Sequence, residues 1–384
     1  KIMQATFQDF PLTLLNPSFD SDLIDVLTEL EKLRTLRLSD DVHPHLFMQL
    51  KTIFHMLESI GSARIEGNHT TLADYVENQL DSDSAQSEQL EEIRNIETAM
   101  RYIDETLGEG DPISEHFIRE LHSLTVNGLK REGDKTPGQY RSHAVAIAQS
   151  AHLPPEAFKV ADYMQELVAF INQPDKPKYD LMKIALAHHR FGWIHPFGNG
   201  NGRTVRLLTY ALLVKYGFNV QAGGRVLNPT AVFCSDRNRY YEMLSLADGG
   251  TAADLEAWCT YVLSGISREL QKVDKLTDRA FLNQQILLPA IQFSLQRGYI
   301  THDEAKILTF ACQQGEFKAG DLQTLFPQSN SNRRTYQIKK LTEQKFIMPI
   351  ESNARVYTPN FAQSYLIRGV IEALRNNGFI GGLE

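Results

Sequence analysis

The chain has 384 residues, a formal net charge of −8 and 42% hydrophobic residues, enough for two or three domains with at least one full core. The acidic balance argues against a surface built throughout for nucleic acid, and no apolar run reaches the length of a membrane helix. Three scattered cysteines, Cys234, Cys259 and Cys312, favour a reducing, cytoplasmic location and argue against a disulfide framework or a zinc site.

The N-terminal part of the chain has the apolar spacing of helices. Residues 21–37 and 87–107 are amphipathic, and residues 44–68 continue in helix up to Gly67-Asn68, a pair suited to a helix C-terminus. After a glycine-rich turn, Ser114 is predicted to cap the next helix, with Glu115 in its first turn.

Residues 128–148 interrupt this helical pattern. Gly and Pro punctuate the stretch, and residues 144–147 have strand character, so we predict a β-hairpin or flap. Further helices are predicted over 156–172, 180–194, 204–217, 229–247 and 252–272.

The C-terminal residues have a different pattern, with short helices at 301–314, 318–326 and 329–346. Two strands follow over 347–359, around a turn at Ser352-Asn353. Three helices and a hairpin are the outline of a winged helix-turn-helix.

The glycine-rich stretch HPFGNGNGRTVR, residues 195–206, is the strongest candidate for chemistry. Gly198, Gly200 and Gly202 let the backbone turn tightly and bring its N–H groups close to a ligand. The apolar helix predicted from near Thr204 points its N-terminus at the same place, which favours an anion and above all a phosphate.

Charged and aromatic residues complete this stretch. Arg203 and Arg206 are three positions apart, so both lie on one side of the helix and can reach the anion. His195 lies at the start of the glycine-rich stretch and is a candidate general base, and Phe197 is expected to anchor the loop in the core. Each signal taken alone also fits an ordinary turn or capping residue; their combination at fixed spacing indicates a catalytic loop.

The pattern His195-Pro-Phe-x-x-Gly-Asn-Gly-Arg-x-x-Arg206 resembles the signature of Fic-domain proteins. Residues 137–147 resemble the flap of that family, and residues 62–68 match its inhibitory pattern Ser/Thr-x-x-x-Glu-Gly/Asn. The resemblance implies a mainly α fold: a Fic-type helical core with a β-hairpin flap, followed by a winged helix-turn-helix domain. The predicted domains are an N-terminal helical segment carrying the inhibitory helix (1–95), a Fic catalytic core (96–275) and a winged-helix domain (285–384).

The resemblance implies transfer of AMP from ATP to a Ser, Thr or Tyr hydroxyl of a target protein. His195 would deprotonate the hydroxyl, Arg203 would stabilise charge in the transition state, and Arg206 would clasp the γ-phosphate. The backbone groups expected to hold the α- and β-phosphates are those of Gly200, Asn201 and Gly202.

The resemblance also assigns a flap and an inhibitory helix. The flap would add the target backbone as a strand; without the motif it would be an ordinary surface hairpin. Ser62 and Glu66 would lie near the ATP site, with Glu66 paired to Arg206, so that ATP binds unproductively within one chain. The flap residues expected to dock the target are Gly138, Arg141, Val145 and Ile147.

One position departs from the family pattern. Where the family has the Asp or Glu that binds Mg²⁺, this chain has Asn199, which offers a single neutral oxygen. We expect Mg²⁺ or Mn²⁺ to be weakly held, mainly by the phosphates of the nucleotide and by water. Slower transfer, another cation, another phosphate-containing donor and an inactive binding protein are the alternatives that this substitution leaves open.

The third helix of the predicted winged helix is basic, which favours contact with DNA; packing or protein docking is the alternative. The leading functional hypothesis is a self-inhibited protein adenylyltransferase, and the alternative is a catalytically weakened, nucleotide-sensing and DNA-binding regulator. Expected partners are ATP and the target protein, with DNA and a second copy of the chain as further candidates. The candidate DNA-binding residues are Arg333, Arg334, Lys339 and Lys340.

Overall fold

The computed structural model describes residues 5–39, 41–81, 83–351, 353–381 and 383, which are mainly helical with few strands, as predicted. One π-helical stretch, Leu282–Leu287, and four short 3-10 helices lie between the α-helices. The α-helices are α1 (Asp22–Thr35), α2 (Pro44–Ile65), α3 (Leu72–Leu80), α4 (Glu88–Thr106), α5 (Glu115–Val126), α6 (Val160–Asn172), α7 (Asp180–Ile194), α8 (Asn201–Lys215), α9 (Thr230–Cys234), α10 (Arg237–Ala247), α11 (Ala252–Val273), α12 (Arg279–Phe281), α13 (Leu288–Gln296), α14 (His302–Gln314), α15 (Ser331–Glu343) and α16 (Leu366–Asn376).

Helices α7 and α8 form the centre of the protein and are buried along almost their whole length. They pack on each other, with α6 and α11 against α7 and with α2, α4 and α5 against α8. Helix α7 ends at His195, whose backbone is left-handed (φ 50°, ψ 62°), and α8 follows after Gly200 (φ 77°). The packing of these two helices therefore fixes the position of the loop between them.

Helix α8 begins earlier than the sequence indicates. We predicted its start near Thr204, but its first residue is Asn201, and the amide of Thr204 already donates to the Gly200 carbonyl at 3.0 Å. The glycine-rich stretch thus forms the first turn of the helix, because Gly200 can adopt the left-handed conformation that starts it. The N–H groups of this turn have no acceptor within the helix, so they are free to bind an anion.

Helix α2 ends at the Gly67-Asn68 pair, as predicted. Gly67 has φ +99° and its amide donates to Arg64, while the amide of Asn68 donates to Ala63, both at 3.0 Å. These two bonds are those of a Schellman motif, which glycine favours because it needs a left-handed residue. The turn directs the side chains of Glu66 and Asn68 toward α8 and α4.

The predicted β-hairpin over 128–148 is wrong. Among the described residues, this stretch has turns and extended backbone but no strand. Arg141, which is 3% exposed, ties it to the loop after α7: its amide donates to Pro196 and its Nε to the His195 carbonyl. The flap is therefore a loop fastened to the turn after α7.

Of the three predicted C-terminal helices, the first and third are the α-helices α14 and α15, and the middle one is a 3-10 helix, Ala319–Gln323; the predicted strands pair as a hairpin. Strands β1 (Phe317–Lys318), β2 (Ile347–Ile350) and β3 (Asn353–Pro359) form an antiparallel sheet in the order β1-β3-β2. Pro349, which cannot donate to a ladder, lies on edge strand β2, as expected for proline. Ser352 of the predicted turn lies outside the described residues.

The sequence pattern did not indicate α3, α13 or α16, and the domain limits drawn from it stay predictions. Across the part of the chain that is described, no helix combines the length and apolar character that a bilayer requires. Cys259 and Cys312 are buried, whereas Cys234 is partly exposed.

Candidate active site

The loop between α7 and α8 is anchored by an aromatic residue. Phe197 is fully buried and stacks flat on the ring of His122, with 3.7 Å between ring centroids. The Asn201 side chain accepts from the amide of Phe197 at 3.0 Å and donates to its carbonyl at 2.9 Å. Phe197 thus has its predicted role, and the Asn201 side chain braces the loop.

His195 has the electrostatics of a proton acceptor. Its Nδ1 lies 3.3 Å from the Gly192 carbonyl, so a proton on Nδ1 can be donated there while Nε2 stays free to accept another. Burial lowers the pKa of His195 to about 4, although the contact with Gly192 opposes this shift. His195 is therefore neutral near neutral pH, as a general base must be.

Arg206 is held by the end of α2. Its Nη2 lies 2.6 Å from Glu66 Oε1, and it also donates to the hydroxyl and carbonyl of Ser62 at 2.8 and 3.0 Å. Burial alone would raise the pKa of the Glu66 carboxyl, but the charge and hydrogen bond of Arg206, with the charge of Arg203, hold it below its ordinary value. Glu66 is therefore an ionised carboxylate at neutral pH.

The same carboxylate covers the first turn of α8. A Cβ added to Gly202 would lie only 2.1 Å from Glu66 Oε1, so a larger residue there would have to displace the Glu66 side chain. The free N–H groups and the dipole at a helix N-terminus attract anions, and the anion held against α8 in this structure is Glu66.

Arg203 pairs with a carboxylate that sequence reasoning missed. Its Nη1 lies 2.9 Å from Glu92 Oε1, with side chains 1% and 3% exposed, and its Nη2 donates to the Glu132 carbonyl at 2.8 Å. Burial raises the pKa of the Glu92 carboxyl, and the charge of Arg203 limits that rise. The one signal in the sequence is that Glu92 falls on the buried face of α4, with Ile96 one turn away.

The residues around Asn199 do not fit a protein-held divalent cation. Its Oδ1 accepts from the Gly200 amide at 2.7 Å, and its Nδ2 donates to the Gly133 carbonyl at 3.2 Å, so both side-chain atoms serve the loop. The nearby carboxylate of Asp134 accepts from the Asn199 amide at 3.0 Å and from the Thr136 amide at 2.9 Å. No cluster of three or more His, Cys, Asp or Glu suited to a metal occurs among the described residues.

The predicted flap residues divide into two groups. The Gly138 backbone has φ +71° and its amide donates to His122 Nδ1, and the Arg141 side chain is buried and donates to carbonyls of the His195 loop, so both residues hold the loop in place. Docking of a target at these two residues stays a prediction. Val145 and Ile147 are half-buried within a largely exposed stretch, 142–149, and remain candidates for docking.

The four basic candidates of α15 each have a contact within the chain. The side chains of Arg333 and Lys339 are 66% and 73% exposed, and exposed pairs of this kind contribute little. DNA binding stays a prediction. The contacts are Arg333–Asp303 (4.0 Å), Lys339–Glu343 (3.8 Å), Lys340–Glu304 (2.8 Å) and Arg334 Nη1 to the Ser329 carbonyl (2.5 Å).

Comparison with known proteins identifies a family for this region. The sequence model of the Fic/DOC family matches residues 112–213, which include the loop and most of α8. The protein adenylyltransferase Fic of Drosophila yakuba is 32% identical over 201 residues, and that of Drosophila sechellia is 31% identical. The aligned part is 51% of this chain and 37% of either relative, so the chain matches about a third of their length.

Solved structures share the fold. A Fic family protein from Desulfovibrio desulfuricans G20 superposes with a TM-score of 0.56 at 20% identity, covering 91% of this chain and 98% of that protein. Fic-1 from C. elegans superposes with a TM-score of 0.50 at 22% identity, covering 66% of this chain and 70% of that one.

Proposed function

This chain belongs to the Fic/DOC family through its domain at residues 112–213, and on that premise we propose that it is a self-inhibited protein adenylyltransferase. It would transfer AMP from ATP to a hydroxyl side chain of a target protein. The observation that carries the proposal is the placement of the Glu66 carboxylate on Arg206 and over Gly202, where the phosphates of a nucleotide would bind.

The site supplies the groups that such a transfer needs. Nε2 of neutral His195 takes the proton of the target hydroxyl, whose oxygen forms a bond to the α-phosphorus. The bond from that phosphorus to the bridging oxygen breaks, and pyrophosphate leaves with the electron pair. Arg203 and the N–H groups at the start of α8 stabilise the negative charge that develops. A divalent cation, Mg²⁺ or Mn²⁺, would enter the site bound to the nucleotide phosphates and would neutralise part of their charge.

Inhibition follows from competition for Arg206. Nε and Nη2 of the guanidinium are held by Ser62 and Glu66, so a γ-phosphate must compete with the Glu66 carboxylate for Arg206. The carboxylate also repels a phosphate approaching α8. Because α2 and α8 belong to one chain, the enzyme is inactive until the end of α2 moves.

The direct test compares Glu66→Gly with Glu66→Gly/His195→Ala, each given ATP labelled on the α- or the γ-phosphate. We expect α-label on protein with the single variant and none with the double variant, because His195 is the base. Transfer of γ-label would contradict the proposal, since it indicates phosphorylation. Label that survives removal of His195 would contradict the assigned mechanism.

A second candidate is a catalytically weakened nucleotide sensor. The position of Asn199 favours it, since the one oxygen of that side chain is taken by the Gly200 amide. This candidate predicts that Glu66→Gly binds ATP and yet transfers no label with either Mg²⁺ or Mn²⁺, even onto a mixture of cellular proteins.

A further inference from the structure

We infer that Glu92 is a positioning residue that holds the Arg203 guanidinium in place through a buried ion pair. The inference rests on the proposed function, in which Arg203 stabilises the transferred phosphoryl group. Glu92 lies on α4, outside residues 112–213 and far from the motif in sequence.

The burial of Glu92 distinguishes it from Glu66. The Glu66 side chain is 29% exposed and covers the first turn of α8, whereas the Glu92 side chain is 3% exposed. A carboxylate closed off from solvent cannot swing away to admit a nucleotide. Glu92 therefore stays on Arg203 whether or not the site is filled, and it supports that arginine. Glu66, in contrast, competes with the nucleotide for Arg206.

Arg203 is only partly satisfied by its partners. The 2.9 Å contact with Glu92 is an ion pair without hydrogen-bond geometry, and neither Nε nor Nη1 has a hydrogen-bond acceptor among the described residues. Buried donors without an acceptor are uncommon in folded proteins. These N–H groups are closed off from solvent here and would donate to phosphate oxygens once the site opens, while Glu92 and the Glu132 carbonyl hold the guanidinium.

Helix α4 holds Glu92 and its neighbours in register. Oε2 of Glu92 accepts from Asn68 Nδ2 at 2.7 Å, so each oxygen of the carboxylate has a partner. One turn earlier, Glu88 Oε1 accepts from the amides of residues 130–132, and this fixes the loop whose Glu132 carbonyl contacts Arg203. The arginine is thus braced from two points of one helix.

The kinetic test is made in the active Glu66→Gly enzyme with Glu92→Gln, Glu92→Asp and the control Glu91→Gln. Glu91 is the neighbour of Glu92 on α4 and its side chain is 46% exposed. Its replacement by Gln removes the same charge. We expect Glu92→Gln to lower kcat by about 10- to 100-fold, the range found when the supporting partner of a functional group is removed. KM for ATP should stay within about twofold, because the start of α8 and Arg206 still bind the phosphates. Glu92→Asp should recover part of kcat, and Glu91→Gln should match its parent.

A spectroscopic test separates this inference from the proposed function. The Nε–Hε NMR signal of Arg203, assigned through Arg203→Lys, should exchange slowly with solvent in the native chain and quickly in Glu92→Gln. If Glu66→Gly transfers no AMP, the proposed function fails, and this signal still decides whether Glu92 fixes Arg203. An unchanged signal in a folded Glu92→Gln protein overturns the inference, as does an unchanged or raised kcat.

Discussion

Replacing Glu66 should raise the affinity for ATP by removing a carboxylate from the phosphate site. In the native chain, ATP must displace Glu66 Oε1 from Arg206 Nη2, a contact of 2.6 Å to an arginine that is 2% exposed. Glu66→Gly removes both the charge and the atoms that cover Gly202. Glu66→Gln removes the charge but keeps the shape, so the two variants separate electrostatic from steric blockage.

The size of the effect follows from the contact that is lost. A hydrogen bond to a charged group contributes about 1.5–3 kcal/mol, and about 1.4 kcal/mol corresponds to tenfold in affinity. Glu66→Gly should therefore bind ATP about 10- to 100-fold more tightly than the native chain. Glu66→Gln should gain less, because its amide oxygen can still accept from Arg206 and its volume still covers the first turn of α8.

Calorimetric titration with ATP and with adenosine is the assay. Adenosine has no phosphate, so its affinity should be the same in the native chain and both variants. An equal gain for adenosine would indicate a general loosening of the pocket, and the competition argument would then be wrong. No gain for ATP in a folded Glu66→Gly protein would refute the assignment of Arg206 to a phosphate.

Three further outcomes follow from the site. Because the pKa of His195 is about 4, it stays neutral as the pH falls below its ordinary pKa of about 6.5. Transfer by Glu66→Gly should therefore persist down to about pH 5 and be lost only as His195 takes up a proton; a decline centred near pH 6.5 would contradict the lowered value. Asn199→Asp adds a carboxylate beside the phosphates and should lower the Mg²⁺ concentration needed for half-maximal transfer, measured by metal titration, with Asn199→Ser as the control. If the tail binds DNA, Arg333→Ala/Arg334→Ala should reduce the slope of log affinity against log salt by about two, and an unchanged slope would exclude this face.

Local chemistry is what the sequence predicts well. The end of α2 at Gly67 and the cap of α5 at Ser114, whose hydroxyl accepts from the Phe117 amide at 3.0 Å, each depend on a few adjacent residues. The anchoring of Phe197 follows for the same reason. Such features need no knowledge of distant parts of the chain.

Contacts between distant segments account for the failures. Strand-like residues at 144–147 form no strand in the described chain, since strand formation depends on a partner strand as well as on local propensity. Arg141, just before them, is instead held by carbonyls around His195, about 50 positions further along the chain. Glu92 was missed because a glutamate on an amphipathic helix reads as a solvated residue until its partner is known. The partner, Arg203, lies 111 positions away (203 − 92), so only the packing of α4 against α8 brings the two together.

Inhibition and positioning meet in the turn that ends α2. Glu66 contacts Arg206 and Asn68 contacts Glu92, and the left-handed Gly67 between them sets both directions. The turn is closed by two backbone hydrogen bonds, so it moves as a unit. A displacement of this turn that frees Arg206 for a γ-phosphate would also withdraw Asn68 from Glu92. Substitutions at Glu66 and Asn68 act on one element, and their effects on transfer should accordingly not add.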